Sequence, residues 1–191
     1  MKICLFGSSS TELKHIYYDE AYRLGELMAE RGHSLIFGGG ENGLMGSCVR
    51  GLESKGGKAI GVAPRFFDIP GILHEGCSEF IFTDSMGERK QIMEDLADAF
   101  VIVPGGVGTY EEFLEVFTLK QLGQLNKPIG ILNTEHYFDI LKELMENTMA
   151  KGFMKRECES LCGYFDDPGS LLDYIENVHD EPMDIYRLKL G

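Results

Sequence analysis

The chain has 191 residues, 43% of them hydrophobic and 26% charged, which is enough for one domain over residues 1–191 with a sizeable core. A formal net charge of −13 repels nucleic acid, and no apolar run approaches the roughly 20 residues of a membrane helix, so neither is expected as a partner. Five scattered cysteines (Cys4, Cys48, Cys77, Cys158, Cys162), with no C-x-x-C and no H-E-x-x-H, fit free thiols in a cytoplasmic protein that uses no metal and no cofactor.

Residues 2–7 are too short in their apolar part for a signal peptide and are expected to form a first strand, which ends in Ser8, Ser9 and Ser10. A helix follows over 16–31, with Tyr17, Ala21, Leu24, Leu27 and Met28 on its apolar face and Gly32 as its stop. The second strand, 34–37, runs into Gly38, Gly39, Gly40 and Gly43, a literal G-x-G-x-x-G. A dinucleotide site also needs a carboxylate closing the next strand, to hold a ribose hydroxyl. Here that strand, 59–62, continues into Ala63, Pro64, Arg65, Phe66 and Phe67 with no acid before Asp68, so nicotinamide cofactors are not expected. Contact with a phosphate or ribose through Gly39 and Gly43 stays open. Residues 43–54 form a short helix, and 66–76 is an irregular stretch suited to a lid or a pocket wall.

A short strand at 79–82 feeds a helix whose start is marked by Ser85-x-x-Glu88, a capping box. Met86, Met93, Leu96 and Ala97 mark its apolar stripe. Arg89 and Lys90 follow Met86 by three and four residues and fall on the same stripe, near the helix's positive end, where a cation is disfavoured by roughly 0.3–1 kcal/mol. Either an anion sits between this helix and another element, or the two side chains snorkel to water.

Residues 99–103 read as a buried strand. Pro104-Gly105-Gly106-Val107-Gly108-Thr109 then turns into a helix expected to open at Thr109 and run to about residue 123. The closely spaced glycines let backbone approach a ligand, and loop amides beside a helix N-terminus make an anion site. Thr109-x-x-Glu112 fits a second capping box; alternatively Glu112, on one stripe with Val116 and Leu119, points inward to a site. Further elements are a strand at 128–132, a helix at 138–149, a last strand at 159–164, and a helix at 168–178 with Asp167 near its cap; 181–191 is a loosely held tail. Strand alternating with helix predicts the α/β class: a Rossmann-like, doubly wound parallel sheet with helices on both faces. Ligands of such sheets bind beyond the strands' carboxyl ends. The Ser8, Gly39 and Gly105 loops and the start of the Arg89 helix all belong there.

Pro104-Gly105-Gly106-Val107-Gly108-Thr109-Tyr110-Glu111-Glu112 resembles the P-G-G-x-G-T-x-x-E signature of the Lonely-guy (LOG) family, and Met86-Gly87-Glu88-Arg89-Lys90 resembles that family's M-x-x-R-K. The stretch from Gly38 to Gly46 is similar to its glycine-rich segment. The resemblance implies a cytokinin riboside 5′-monophosphate phosphoribohydrolase, from a family long labelled lysine decarboxylase. Such an enzyme frees an adenine-type base and ribose 5-phosphate from a nucleotide. By position it implies Arg89 and Glu112 as the catalytic pair, with Met86, Lys90, Gly105, Gly106, Val107, Gly108, Thr109, Glu111 and Thr118 around the nucleotide. It also suggests a homodimer, with which the apolar Phe113, Leu114 and Phe117 are compatible. A decarboxylase would need a lysine Schiff base and a cofactor cage, neither evident here. The rival from another class is a non-catalytic nucleotide or molybdenum-cofactor carrier, which would keep the glycine loop without needing Arg89 and Glu112 together.

Overall fold

The computed structural model describes residues 1–178; the tail expected at 181–191 lies outside the described residues. Seven strands alternate with helices: β1 (Lys2–Phe6), α1 (His15–Glu30), β2 (Ser34–Phe37), α2 (Gly43–Ser54), β3 (Ala59–Pro64), β4 (Glu79–Thr83), α3 (Met86–Leu96), β5 (Ala99–Ile102), α4 (Val107–Gln121), β6 (Ile129–Leu132), α5 (Asp139–Ala150), β7 (Gly163–Phe165) and α6 (Pro168–Asn177). They form one sheet in the order β4-β3-β2-β1-β5-β6-β7, and each neighbouring pair is parallel. The Rossmann-like α/β class is borne out.

Parallel strands covered on both faces read as continuous apolar runs rather than alternating ones, and Ala99–Ile102 and Ile129–Leu132 are buried throughout. Successive side chains still go to opposite faces. Ile3, Leu5, Leu35, Phe37 and Val101 pack in one layer with α1, α2 and α6. Cys4, Phe6, Ile36, Phe100 and Ile102 pack in the other, with Met93 of α3, Phe113 and Phe117 of α4, and Phe138 and Leu141 before and on α5. Phe113 and Phe117 are thus core residues, and only Leu114 of the three residues considered for dimerisation is exposed.

Local capping explains several element ends. Ser85 Oγ accepts from the Glu88 amide at 3.1 Å, and Glu88 Oε2 accepts from the Asp84 amide at 2.9 Å, so the expected box closes one residue further out. Asp167 Oδ1 accepts from the Ser170 amide at 3.0 Å, with Pro168 in the first turn of α6. Three expectations are corrected. Helix α4 opens at Val107 rather than Thr109, with Gly106 as its cap and no side chain capping it. The stretch 159–164 is split between a 3-10 helix, Arg156–Leu161, and the three-residue β7. Met86 lies exposed at the start of α3 rather than on its buried stripe.

No helix among the described residues is long and apolar enough to cross a membrane. The irregular stretch after β3 is tied to the Gly38–Asn42 loop. Glu41 N donates to Ile72 O at 2.9 Å, His74 N donates to Gly39 O at 2.8 Å, and Gly40 bridges Leu73. Phe100 is fully buried and stacks on Phe6 at 6.0 Å in the layer beneath the sheet's carboxyl edge. Phe100→Ala is expected to cost about 3–5 kcal/mol of folding free energy, read as a lower denaturant midpoint at unchanged slope.

Candidate active site

The strand order reverses between β1 and β5. From β1 the chain winds outward through β2, β3 and β4; from β5 it winds the other way through β6 and β7. Such a switch point leaves a crevice between loops that diverge to opposite faces. The loop after β1 carries Ser8, whose amide donates to Pro104 O at 3.1 Å and whose carbonyl accepts from Leu44 N at 2.8 Å. Ser8 thereby ties the loops after β1, β2 and β5 together. Gly39 and Gly43 take φ of 73° and 68°, the left-handed region that favours glycine. They shape the β2–α2 loop where it passes Ser8.

Two helices bring the charged pair to this edge. Arg89, one turn into α3, is buried to 6% exposure, and Glu112 on α4 keeps 12% of its side chain exposed. Arg89 Nη1 donates to Glu112 Oε1, and Arg89 Nε reaches Val62 O at 3.4 Å. Gly38 makes room for the pair, since a Cβ there would overlap Arg89 Nη2. The capping reading of Glu112 therefore fails. Thr109 is the third residue of α4, not its cap, and Glu112 turns inward to the guanidinium.

Burial raises the Glu112 pKa, Arg89 opposes that, and the net direction is upward. Glu112 lies beyond the first turn, where the helix dipole has faded, and desolvation outweighs one guanidinium.

Lys90 makes a separate network. Its ammonium donates to Glu111 Oε1 and lies 2.7 Å from Glu115 Oε2. Burial works against its charge, but the two carboxylates prevail and its pKa is raised. Lys90 is accordingly committed to α4. Glu94, one turn further along α3, is 6% exposed; burial first, and the Glu115 carboxylate next, push it up to about 7.

The glycine loop is open. Gly105 and Thr109 are buried, whereas Gly106, Val107 and Gly108 are exposed. A Cβ on Gly105 would overlap Thr109 Oγ1 and approach Ser8 N at 3.0 Å, so this turn accepts only glycine at that point. The first residues of a helix have amides without intrahelical partners, and the first backbone bond here is Tyr110 N to Gly106 O at 3.1 Å. The amides before Tyr110, with the positive end of α4 behind them, supply the donors and the dipole that an anion site requires.

Of the residues singled out in the sequence, Ser8, Gly39, Gly43, Arg89, Glu112 and 105–109 converge on this edge. Met86 and Glu111 are exposed beside it. Thr118 is exposed on the fourth turn of α4, roughly 14 Å from Thr109 along the helix by its rise per residue, and is not brought to the loop within one chain.

Two residues escaped sequence reasoning. Tyr137, after β6, donates its hydroxyl to Gly105 O at 2.6 Å. His74 bridges Glu41 Oε2 at 2.5 Å and Glu53 Oε1 at 2.8 Å, clamping the stretch after β3 against α2. Neither belongs to a recognisable spacing. The rule that loops after parallel strands gather at one edge was the available signal for Tyr137.

Glu94 has a folded pKa of about 7, above the ordinary carboxylate value of about 4.3. Its contribution to stability is therefore present below that ordinary value and lost as pH rises through about 7. Glu94→Gln is expected to flatten the fall in Tm between about pH 5 and 8, raising Tm at the upper end and leaving the lower end nearly unchanged. Calorimetry across that range checks it; a parent-like slope in the variant would contradict the assignment.

Residues 45–175 match the protein family described as possible lysine decarboxylase. Cytokinin riboside 5'-monophosphate phosphoribohydrolase LOG2 of Arabidopsis thaliana is 34% identical over 183 residues, covering 94% of this chain and 86% of that protein. Probable cytokinin riboside 5'-monophosphate phosphoribohydrolase LOGL5 of Oryza sativa subsp. japonica is 35% identical over 189 residues, 99% of this chain and 77% of that protein. Among solved structures, the molybdenum cofactor carrier protein MCP from Chlamydomonas reinhardtii superposes with a TM-score of 0.69 at 22% identity, over 92% of this chain and 95% of that one, a likeness of fold alone. The buried Arg89–Glu112 contact and the open amide loop join the two signature motifs at one edge, and relatives this similar span nearly the whole chain; the chain belongs to the LOG family.

Proposed function

We propose that this protein is an enzyme that hydrolyses the N-glycosidic bond of adenine-type nucleoside 5′-monophosphates, N-prenylated ones among them, to free base and ribose 5-phosphate. The observation that carries this reading is the placement of a buried carboxylate–guanidinium pair beside an open nest of backbone amides, at the switch point of the sheet. Relatives named as cytokinin riboside 5'-monophosphate phosphoribohydrolases support the same reaction.

The chemistry follows from charge. The 5′-phosphate occupies the amides of 105–109, which bind anions through N–H donors and the end of α4. Cleavage of the C1′–N9 bond leaves the electron pair on the base and a cationic, oxocarbenium-like sugar. A carboxylate beside that ring stabilises the developing charge, and its value is greatest where water is excluded. Glu112 takes this role and accepts one proton of the water that adds to C1′, while the departing base takes up a proton from solvent, to which Glu112 afterwards releases its own. A pKa raised by burial makes Glu112 a stronger proton acceptor than an ordinary carboxylate. Arg89 holds Glu112 in one orientation and keeps its charged form accessible in spite of burial. No step calls for a metal or an organic cofactor.

A carrier would use the amide nest but has no task for Glu112 against Arg89. Incubation with AMP and with isopentenyl-AMP, followed by chromatography for free base, separates the two; tight binding without turnover favours the carrier. Glu112→Gln, which keeps the shape of the side chain, is expected to lower turnover by about 10²–10⁴-fold. Release of free base by that variant at a rate near that of the parent would refute the assignment. In the parent, kcat/KM should fall as acid protonates Glu112. Because its pKa is raised, that limb lies above the ordinary carboxylate range near about 4.3. A pH–rate profile locates it.

A further inference from the structure

The loop joining β6 to α5 is strained, and the strain has a target. Glu135 (φ 55°) and His136 (φ 58°) are the non-glycine residues with positive φ among the described residues, and they are consecutive. Side chains disfavour this region, and such residues persist only where their surroundings hold them. Asn133 supplies the hold. Its Oδ1 accepts from the Phe138 amide at 2.7 Å, its Nδ2 donates to Asp139 Oδ1 at 2.8 Å, and its own amide donates to Phe165 O at 2.7 Å. Lys14, before α1, adds an ion pair to Glu135 at 3.1 Å.

The strained pair delivers Tyr137 to the neighbouring turn after β5. Its hydroxyl donates to Gly105 O at 2.6 Å and accepts from the Tyr110 hydroxyl at 3.0 Å, so its proton is directed at one acceptor. Burial, then the bond from Tyr110, push the Tyr137 pKa up to about 12, and the group remains a donor throughout the neutral range. The ring is braced edge-on by Tyr17 at 6.3 Å and Phe138 at 5.0 Å.

The acceptor matters because of peptide geometry. In a trans peptide the carbonyl of one residue and the amide of the next point in opposite directions. Fixing Gly105 O on Tyr137 turns the Gly106 N–H away from Tyr137, and Gly106 is exposed. A Gly–Gly peptide has little steric preference of its own, so its orientation must be set from outside. We propose that Tyr137 is a positioning residue for the anion nest: through Gly105 O it holds the Gly105–Gly106 peptide with its amide presented to the substrate's phosphate. This inference rests on the nucleotide reading above.

Tyr137→Phe keeps the ring and removes the hydroxyl. Its expected effect is a loss of about five- to tenfold in affinity for ribose 5-phosphate, the size of one hydrogen bond, with KM for AMP rising in parallel and kcat within about twofold. Titration calorimetry and steady-state kinetics read these out. Tyr110→Phe, which removes the donor that orients the Tyr137 hydroxyl, should move the same quantities the same way by less. A purely structural role would lower Tm in either variant while leaving affinity per folded molecule unchanged. Parent-like affinity in both variants overturns the inference and leaves the nucleotide reading intact. A parent protein that binds neither ribose 5-phosphate nor AMP overturns that reading first.

Discussion

A guanidinium and a carboxylate, both largely withdrawn from water, meet between two helices that follow different strands. Neither charge is easily placed there alone. An isolated buried arginine cannot shed its proton, and an isolated buried carboxylate would take one up. The Arg89–Glu112 contact satisfies both, and it fixes the start of α3 against the second turn of α4. Everything around it accommodates that contact. Gly38 leaves space for the guanidinium, Val62 offers a carbonyl at 3.4 Å, and Cys4 of β1 lies beneath with its thiol held protonated by burial. Breaking a buried pair by removing one partner is more damaging than never having had it, which makes the pair a constraint on the fold as well as a chemical resource.

On the proposed function, the second constraint is how a chain of net charge −13 would attract a phosphate. Lys90 contributes little freely available charge, since Glu111 and Glu115 already hold it. Attraction must then come from groups that carry no formal charge. Backbone amides at the N-terminus of α4 do this without desolvating a lysine or an arginine, and they keep their direction because the turn is locked on each side. Ser8 N holds Pro104 O from the β1 side at 3.1 Å, and Tyr137 holds Gly105 O from the β6 side at 2.6 Å. Preorganisation of this kind is what lets dipoles substitute for ions. Local strain at Glu135 and His136 accompanies it, and the site thus includes a residue whose side chain belongs to neither signature motif.

Most of the architecture is legible in the sequence. Strand and helix alternate in the sequence with little ambiguity, and continuous apolar runs such as Ala99–Ile102 require covering on both faces. The edge at which the candidate site lies followed from that alternation, as did the convergence of the Ser8, Gly39 and Gly105 loops with α3. Element ends were less legible. Thr109 and Glu112 satisfy a capping pattern on paper, but Gly106 caps the helix because Thr109 is already its third residue and Glu112 has a stronger partner 23 residues away. The 3-10 helix at Arg156–Leu161 likewise carries no periodic signature that separates it from a short strand.

By itself, then, the sequence determined the parallel sheet, the identity of the glycine loop and the misplaced cations on α3, because each is a local pattern: a period, a composition, or a charge on the wrong face. Only the tertiary structure decided who pairs with whom. It gave Arg89 to Glu112 and Lys90 to Glu111 and Glu115, raised the Glu112 pKa by burial, and brought Tyr137 to Gly105. Those outcomes depend on burial and on the distance between elements remote in the chain, and neither quantity is written in the spacing of residues along it.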